Sequence, residues 1–423
     1  MPFLRSLSSG VTGLQTTTTM MDIIGNNVAN INTTGYKASR VTFGEMFSQT
    51  LRGATGATDT SGGTDPLQVG LGTSVESIDT LFSQGAIEST GNSNDLAIEG
   101  DGFFVVKNGG KTQYTRVGAL ALDSSNNLTM AGIGAILQGK MANDQGVIPA
   151  GATLTNIQVD QSKTSPPKAT TSVNMGGNVD ASAATYVPAS AGPPPVAESG
   201  GKASTTMNVY DSLGNTHALT VTMTKNATAN TWDYSITDSS NTQVASGSVT
   251  FNADGTLATG SPVVIPSITL TNGAAPLNVT VDMSAMTQTQ GTGSITPEKV
   301  DGYASGQMSS WSVDENGYIN ATFSNGQVMK LGQVMVAEFN NPEGLTQTGS
   351  GIYDVSPNSG IPELISPGGD TRSKILSGSL EQSNVDLPTE FTKMIVAQRG
   401  FQANARVITT SDEILQELVN LKR

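Results

Sequence analysis

The chain has 423 residues, a formal charge of −14 and no cysteine, which excludes disulfides and thiolate metal sites and disfavours nucleic acid as a partner. Its 48 Gly, 18 Pro and 13% charged residues favour short strands and turns over a helical globule, with room for two or three domains. The acidity is central: residues 1–60 hold four basic and three acidic side chains, and residues 374–423 hold six of each, so the ends can pack together while the middle faces solvent.

At the N-terminus, Leu4, Leu7, Val11, Leu14, Thr18, Met21, Gly25 and Val28 recur at alternating intervals of three and four. That spacing predicts a helix from about Pro2 to Ala29, roughly 40 Å long at ~1.5 Å per residue. The start, Met1-Pro2-Phe3-Leu4-Arg5, lacks the basic and apolar regions of a secretory signal. No stretch approaches the ~18 apolar residues of a membrane span, so no membrane insertion is expected. The run Asn26 to Lys37 reads as a helix exit, with Gly35 suited to a left-handed conformation. Residues 53–72 are rich in Gly, Thr and Ala, and 31–70 together with 375–384 are expected to form an extended connector.

From about Leu71 the pattern turns to strands. Asp95 to Val106 reads as strand, tight turn and buried strand, and Tyr114-Thr115-Arg116 and the turn at Asp123–Asn127 continue it. Proline-rich stretches near 163–168 and 191–195 mark a boundary and a loop. Between them and Pro297, Leu219, Val221 and Met223 alternate with threonines, and Trp232, Tyr234 and Ile236 and Leu277, Val279, Val281 and Met283 repeat the scheme. Strands with one buried and one wet face predict an antiparallel sandwich or barrel. A second β block resumes after Val300, with a turn at Asp314–Gly317. The economical topology inserts 158–297, as an outer β domain, into a discontinuous β domain of 71–157 and 298–374.

The far end repeats the opening rhythm: Leu387, Phe391, Met394, Gln398, Phe401, Ala405, Ile408, Asp412, Leu415 and Val419. Such a seam needs a partner helix. The fold class is therefore mainly β with terminal α-helices: a coiled-coil-like helical domain of 1–30 and 385–423 with two nested β domains. Leu4, Leu7, Val11, Leu14, Met21, Val28, Phe391, Met394, Phe401, Ile408, Leu415 and Val419 are the candidate assembly residues, meeting each other or neighbouring copies.

Catalytic and metal chemistry finds little support. The single histidine, His217, follows a hairpin turn and reads as solvated. Asp314, Asn316 and Gly317 mimic a calcium loop, but its last ligand position is Phe323, so the segment reads as a hairpin turn. Asp95, Glu99 and Asp101, beside Gly100 and Gly102, read as turn residues. Glycine pairs near 70–72 and 132–134 lack the third glycine of a dinucleotide loop. No enzyme activity and no cofactor are expected.

Three long motifs resemble the flagellar basal-body rod and hook axial protein family. They are Asn26 to Lys37, with Asn26, Asn27, Asn30, Gly35 and Tyr36; Asp95 to Val106, with Gly100 and Gly102; and Gly378 to Ala405, with Asn384, Gln398, Arg399 and Asn404. Asp301–Gln307 and Val209–His217 are similar to segments of the hook branch of that family. The resemblance implies a subunit that self-assembles into the flagellar hook, a flexible tubular universal joint passing motor torque to the filament. It implies as partners further copies of itself, the distal rod protein, the hook cap protein, the hook-filament junction proteins and the flagellar type III export apparatus, with export that needs no cleaved signal peptide. The alternatives are a flagellar distal rod protein or, from another class, a secreted β-rich adhesin or polysaccharide-acting protein.

Overall fold

The computed structural model describes residues 2–421 except 58, 60, 61, 191, 193, 269, 271 and 369–372; the side chains of residues 2–4, 418 and 421, and with them the Leu4 position, lie outside the described ones. The protein is mostly β, with a helix at each end, α1 (Pro2–Ala29) and α2 (Leu387–Leu421). It divides into two units: one of 1–160, 311–321 and 329–423, the other of 161–310 and 322–328.

In the first unit α1 and α2 run antiparallel. Gly10 lies against Ile408, Gly13 against Asn404 and Thr17 against Gly400. α1 carries the run Thr16–Thr19, whose β-branched side chains weaken a helix. Here each hydroxyl donates to a carbonyl three or four residues back, as in Thr18 Oγ1 to Leu14 O at 2.9 Å. α2 begins after Asp386, whose Oδ2 accepts from the Thr389 backbone N–H and hydroxyl, an N-cap arrangement.

The stretch read as an extended connector contributes strands to two antiparallel ladders. Ser39–Glu45 pairs with Thr73–Thr80, and Ser48–Arg52 pairs with Leu67–Gly70. Thr, Ser and Gly between the few apolar residues hide the period of two in the sequence, yet supply backbone partners just as well. The C-terminal part of that connector is also paired, Lys374–Ser377 with Leu96–Glu99 and Ser379–Glu381 with Ile87–Ser89. The two strands of the Asp95–Val106 motif are not a hairpin. Leu96–Glu99 goes to that C-terminal segment, whereas Phe103–Asn108 pairs with Lys111–Thr115, Ile136–Met141 and Val336–Glu338. Around Phe103 an aromatic core of Phe82, Tyr114, Phe339 and Tyr353 packs edge to face at 4.9–6.0 Å.

The second unit is a two-sheet sandwich. One sheet is wholly antiparallel, in the order Lys202–Tyr210, Thr216–Lys225, Thr231–Thr237, Gln243–Phe251 and Leu257–Thr259. The other runs Val263–Ile268, Leu277–Thr289, Ser172–Asp180 and Ser294–Val300. It departs from the antiparallel expectation, because Ser172–Asp180 and Leu277–Thr289 are parallel. A parallel pair needs a long crossover, and the whole of the first sheet lies between these two strands in sequence. Met207, Leu219, Val221, Trp232 and Ile236 of one sheet share a core with Val173, Val279, Val281 and Met283 of the other. Ser294–Val300 completes the second sheet and crosses the boundary expected at 297.

Candidate assembly interface

The face shared by α1 and α2 is built from small side chains. Gly10, Gly13 and Thr16 of α1 are buried, as are Ala397 and Ser411 of α2, and Ser6 and Ser411 approach to 3.4 Å. Across this pair the stripe residue Ile408 lies against Gly10, where a β-carbon would stand 3.0 Å from its Cγ1. Close approach of two helices selects small residues at these points, while several of the larger apolar side chains remain open to solvent. Phe391 (49%), Phe401 (38%), Val11 (42%) and Val419 (69%) are exposed on a single chain. Leu7, Leu14, Met21, Val28, Met394 and Leu415 are half-buried. Small residues thus sit at the points of closest approach of the two helices, while Phe391, Phe401, Val11 and Val419 stay open to solvent on a single chain.

Below the helix pair, the motif residues form one polar knot. Asn27 is buried and uses both ends of its amide. Its Oδ1 accepts from Tyr36 Oη at 3.2 Å and Ser39 N at 2.9 Å, and its Nδ2 donates to Ser39 O at 2.8 Å and Glu390 Oε2 at 3.2 Å. Asn26 Nδ2 donates to Tyr36 Oη, and Asn30 Nδ2 turns back onto Asn26. Burial, followed by the Glu390 charge, raises the Tyr36 pKa. Asn384 answers from the C-terminal side: its Oδ1 accepts from Ala38 N, and its Nδ2 donates to Leu81 O and Ser83 O.

A buried charge cluster sits beside this knot. Lys37 Nζ lies 2.6 Å from Glu381 Oε1, with both side chains fully buried, and also donates to Ser83 O at 2.8 Å. Gly35 N donates to Glu381 O at 2.8 Å, and Gly35 takes φ +68°, a conformation that other residues rarely adopt, with Val117 only 3.0 Å from where a β-carbon would stand. Arg116 Nη1 stands 3.7 Å from Glu381 Oε2 while the guanidinium lies 5.0 Å over the Phe103 ring. Burial lowers the Lys37 pKa, with Glu381 opposing it, and burial pushes the nearby Tyr353 phenol up to about 12. Lys37, Arg116 and Glu381 were all inside motifs visible in the sequence, but their convergence from three distant segments was not. Gly102 is required by packing, since a β-carbon there would fall 2.0 Å from Val336 Cγ1, and Gly100 takes φ +112°. Gln398 and Arg399 face outward from α2.

The candidate chemical residues have local structural uses. Asp314 Oδ1 accepts from Asn316 N and Tyr318 N, the bonds of a hairpin turn, and Phe323 is buried. Asp95 accepts from Thr90 Oγ1, while Glu99 and Asp101 are exposed. His217 departs from the solvated reading. It is partly covered, and its Nε2 lies 3.0 Å from Oδ2 of the fully buried Asp211. Among the described residues, no group of three or more His, Cys, Asp or Glu side chains could hold a metal ion.

Four family descriptions match in chain order: Flagella basal body rod protein over 7–37, Flagellar hook protein FlgE/F/G D1 domain over 97–181, Flagellar basal body protein FlaE D2 domain over 178–303, and Flagellar basal body rod FlgEFG protein C-terminal over 376–421. Flagellar hook protein FlgE of Borreliella burgdorferi is 38% identical over 444 residues, covering 99% of this chain and 100% of the relative. The chain belongs to the flagellar hook protein FlgE family. FlgE of Escherichia coli is 34% identical, again over 99% of this chain and 100% of its own length. The FlgE fold is shared with the crystal structure of Helicobacter pylori flagellar hook protein FlgE2, at 16% identity and a TM-score of 0.51, covering 70% of this chain and 100% of that one. As a FlgE-family member, the protein is a structural component of the flagellar hook. The polar knot falls within the rod-type N-terminal match and the C-terminal match or beside them, and the sandwich holds the FlaE D2 match.

Proposed function

We propose that copies of this chain polymerise through the outward apolar faces of α1 and α2 into the inner wall of the hook tube. The single observation that carries this reading is the exposure of Phe391, Phe401, Val11 and Val419 on helices that approach each other at small residues. Each such side chain would contribute roughly 1.5–3 kcal/mol on burial against a neighbour. A tube repeats that contact in every subunit, giving torsional stiffness inside. The β units, with sparse charge, slide past one another as the tube bends. The role is structural, with no catalytic step. Partners would be the distal rod protein, hook cap and hook-filament junction proteins, and the type III export apparatus, which carries the chain without a cleaved signal peptide.

A second reading, a distal rod subunit, is favoured by one specific likeness. Flagellar basal-body rod protein FlgG of Bacillus subtilis is 31% identical over 99% of this chain and 100% of its own length. Both readings place the helices at the assembly contact.

The absence of cysteine makes a direct test simple. A Phe401→Cys chain is labelled by a maleimide as monomer and as polymer, with Val264→Cys, exposed on the sandwich, as the reference. Protection of position 401 on polymerisation, with 264 still reactive, is expected. Equal reactivity of position 401 in both states would overturn the proposal.

A further inference from the structure

The sequence contains four Asn-Gly pairs, at 108, 272, 316 and 325. This dipeptide is the one most prone to deamidation, because the glycine nitrogen can reach the preceding side-chain carbonyl unhindered. The fold distinguishes the four. Gly317 N donates to Asp314 O at 2.9 Å, and a β-carbon at Gly317 would meet Pro367 and the Val334 carbonyl. Gly326 N donates to Phe323 O at 2.9 Å. Both nitrogens are held in turns. Among the described residues, the N–H groups of Gly109 and Gly273 have no such acceptor, and open space surrounds both glycines.

Asn272 differs from Asn108 in what its amide holds. It is exposed, yet its Nδ2 donates to Asp211 Oδ2 at 2.6 Å. Asn215 and His217 reach the same oxygen, at 3.2 and 3.0 Å. Asp211 is fully buried in the sandwich unit, and its carboxylate joins the 211–217 turn to the loop before Leu277. A cavity of about 240 Å³, lined in part by His217, Asp238 and Asn272, gives water access to the pair.

We infer that Asn272 is a self-modification site whose deamidation releases the Asp211 clasp. The Gly273 nitrogen attacks Asn272 Cγ. The N–Cγ bond forms, the Cγ–Nδ2 bond breaks, and ammonia leaves with the proton from Gly273. Water then opens the cyclic imide to aspartate or isoaspartate. The product replaces a donor by a carboxylate facing the buried Asp211 carboxylate, a like-charge contact that disfavours the closed loop. The Asp211 carboxyl itself resists protonation: burial raises its pKa, but the bonds from His217, Asn272 and Asn215 outweigh that and hold it far below the usual range.

The test is peptide mass mapping of the full chain after incubation in mildly alkaline buffer. Asn272 and Asn108 should gain one dalton several times faster than Asn316 and Asn325. Conversion of Asn272 no faster than Asn316 would overturn the site. The clasp is tested with Asn272→Asp and Asn272→Ala, following the unfolding of the sandwich by Trp232 fluorescence in a Trp311→Phe background. At neutral pH Asn272→Asp should lower the midpoint clearly more than Asn272→Ala. Equal midpoints would overturn the release of the clasp.

Discussion

The Asn404 side chain lies on the backbone of Gly13, so closely that a β-carbon at position 13 would stand 2.6 Å from Asn404 Nδ2 and 2.8 Å from its Cγ. α1 and α2 therefore approach at a point where an added methyl group would have to push the Asn404 side chain aside. Gly13→Ala should therefore gain less helix stability than the ~1 kcal/mol that alanine offers over glycine. Pairing it with Asn404→Ala removes the obstacle and should recover the rest of that gain. Thermal melts followed by circular dichroism on the single and double variants check this; a single variant that already shows the full gain would contradict it.

Phe401→Asp addresses the outer face of the same helix. Phe401 is 38% exposed on one chain, so the substitution should leave melting of the β units unchanged. In a polymer it would bury an unpaired charge, at several kcal/mol per contact, and assembly should fail. Normal tubes from the variant would remove this residue from the assembly contact, and loss of the β transition would assign α2 to the β core.

Glu381→Gln tests the buried charges. It leaves Lys37 and Arg116 without their carboxylate, and removing one partner of a buried pair costs about 3–5 kcal/mol. Chemical denaturation should show that loss. The folded Lys37 pKa is already depressed by burial and would fall further in the variant. The unfolded chain then binds the extra proton between the two values, so the variant's stability should rise with pH toward the ordinary lysine range. A pH-independent deficit would contradict this assignment.

Asp211 gives the opposite dependence. Its folded pKa is depressed by the bonds it accepts, so its contribution is complete above the ordinary aspartate value of ~3.9 and is lost as pH falls below it. The sandwich of the parent should weaken on acidification through that range, and Asp211→Asn should flatten the profile. Trp232 fluorescence against denaturant at several pH values is the readout, and identical profiles would contradict the role given to Asp211.

What the sequence disclosed follows from the range of the forces involved. The 3-4 spacing from Leu7 to Val28 and the alternation from Leu219 to Met283 are local, so both terminal helices and the strands of the sandwich were legible. The ladder of Ser39–Glu45 with Thr73–Thr80 was not, because Thr and Ser pair through the backbone without leaving an apolar period. The contact face of α1 and α2 was hidden for a related reason: Gly10, Gly13 and Gly400 carry no hydropathy signal, and the larger side chains beside them do. Lys37 meets Glu381 across 344 residues, and Asp211 meets Asn272 across 61. No periodicity encodes such pairings; only the folded chain brings them together.

Electron microscopy of the polymer formed by the purified full-length chain tests the central claim most directly. The account predicts curved tubes whose inner wall is made of the paired terminal helices. Straight, rigid tubes would instead support the rod reading, and a polymer joined through the β units with the helices at its outer surface would contradict the account.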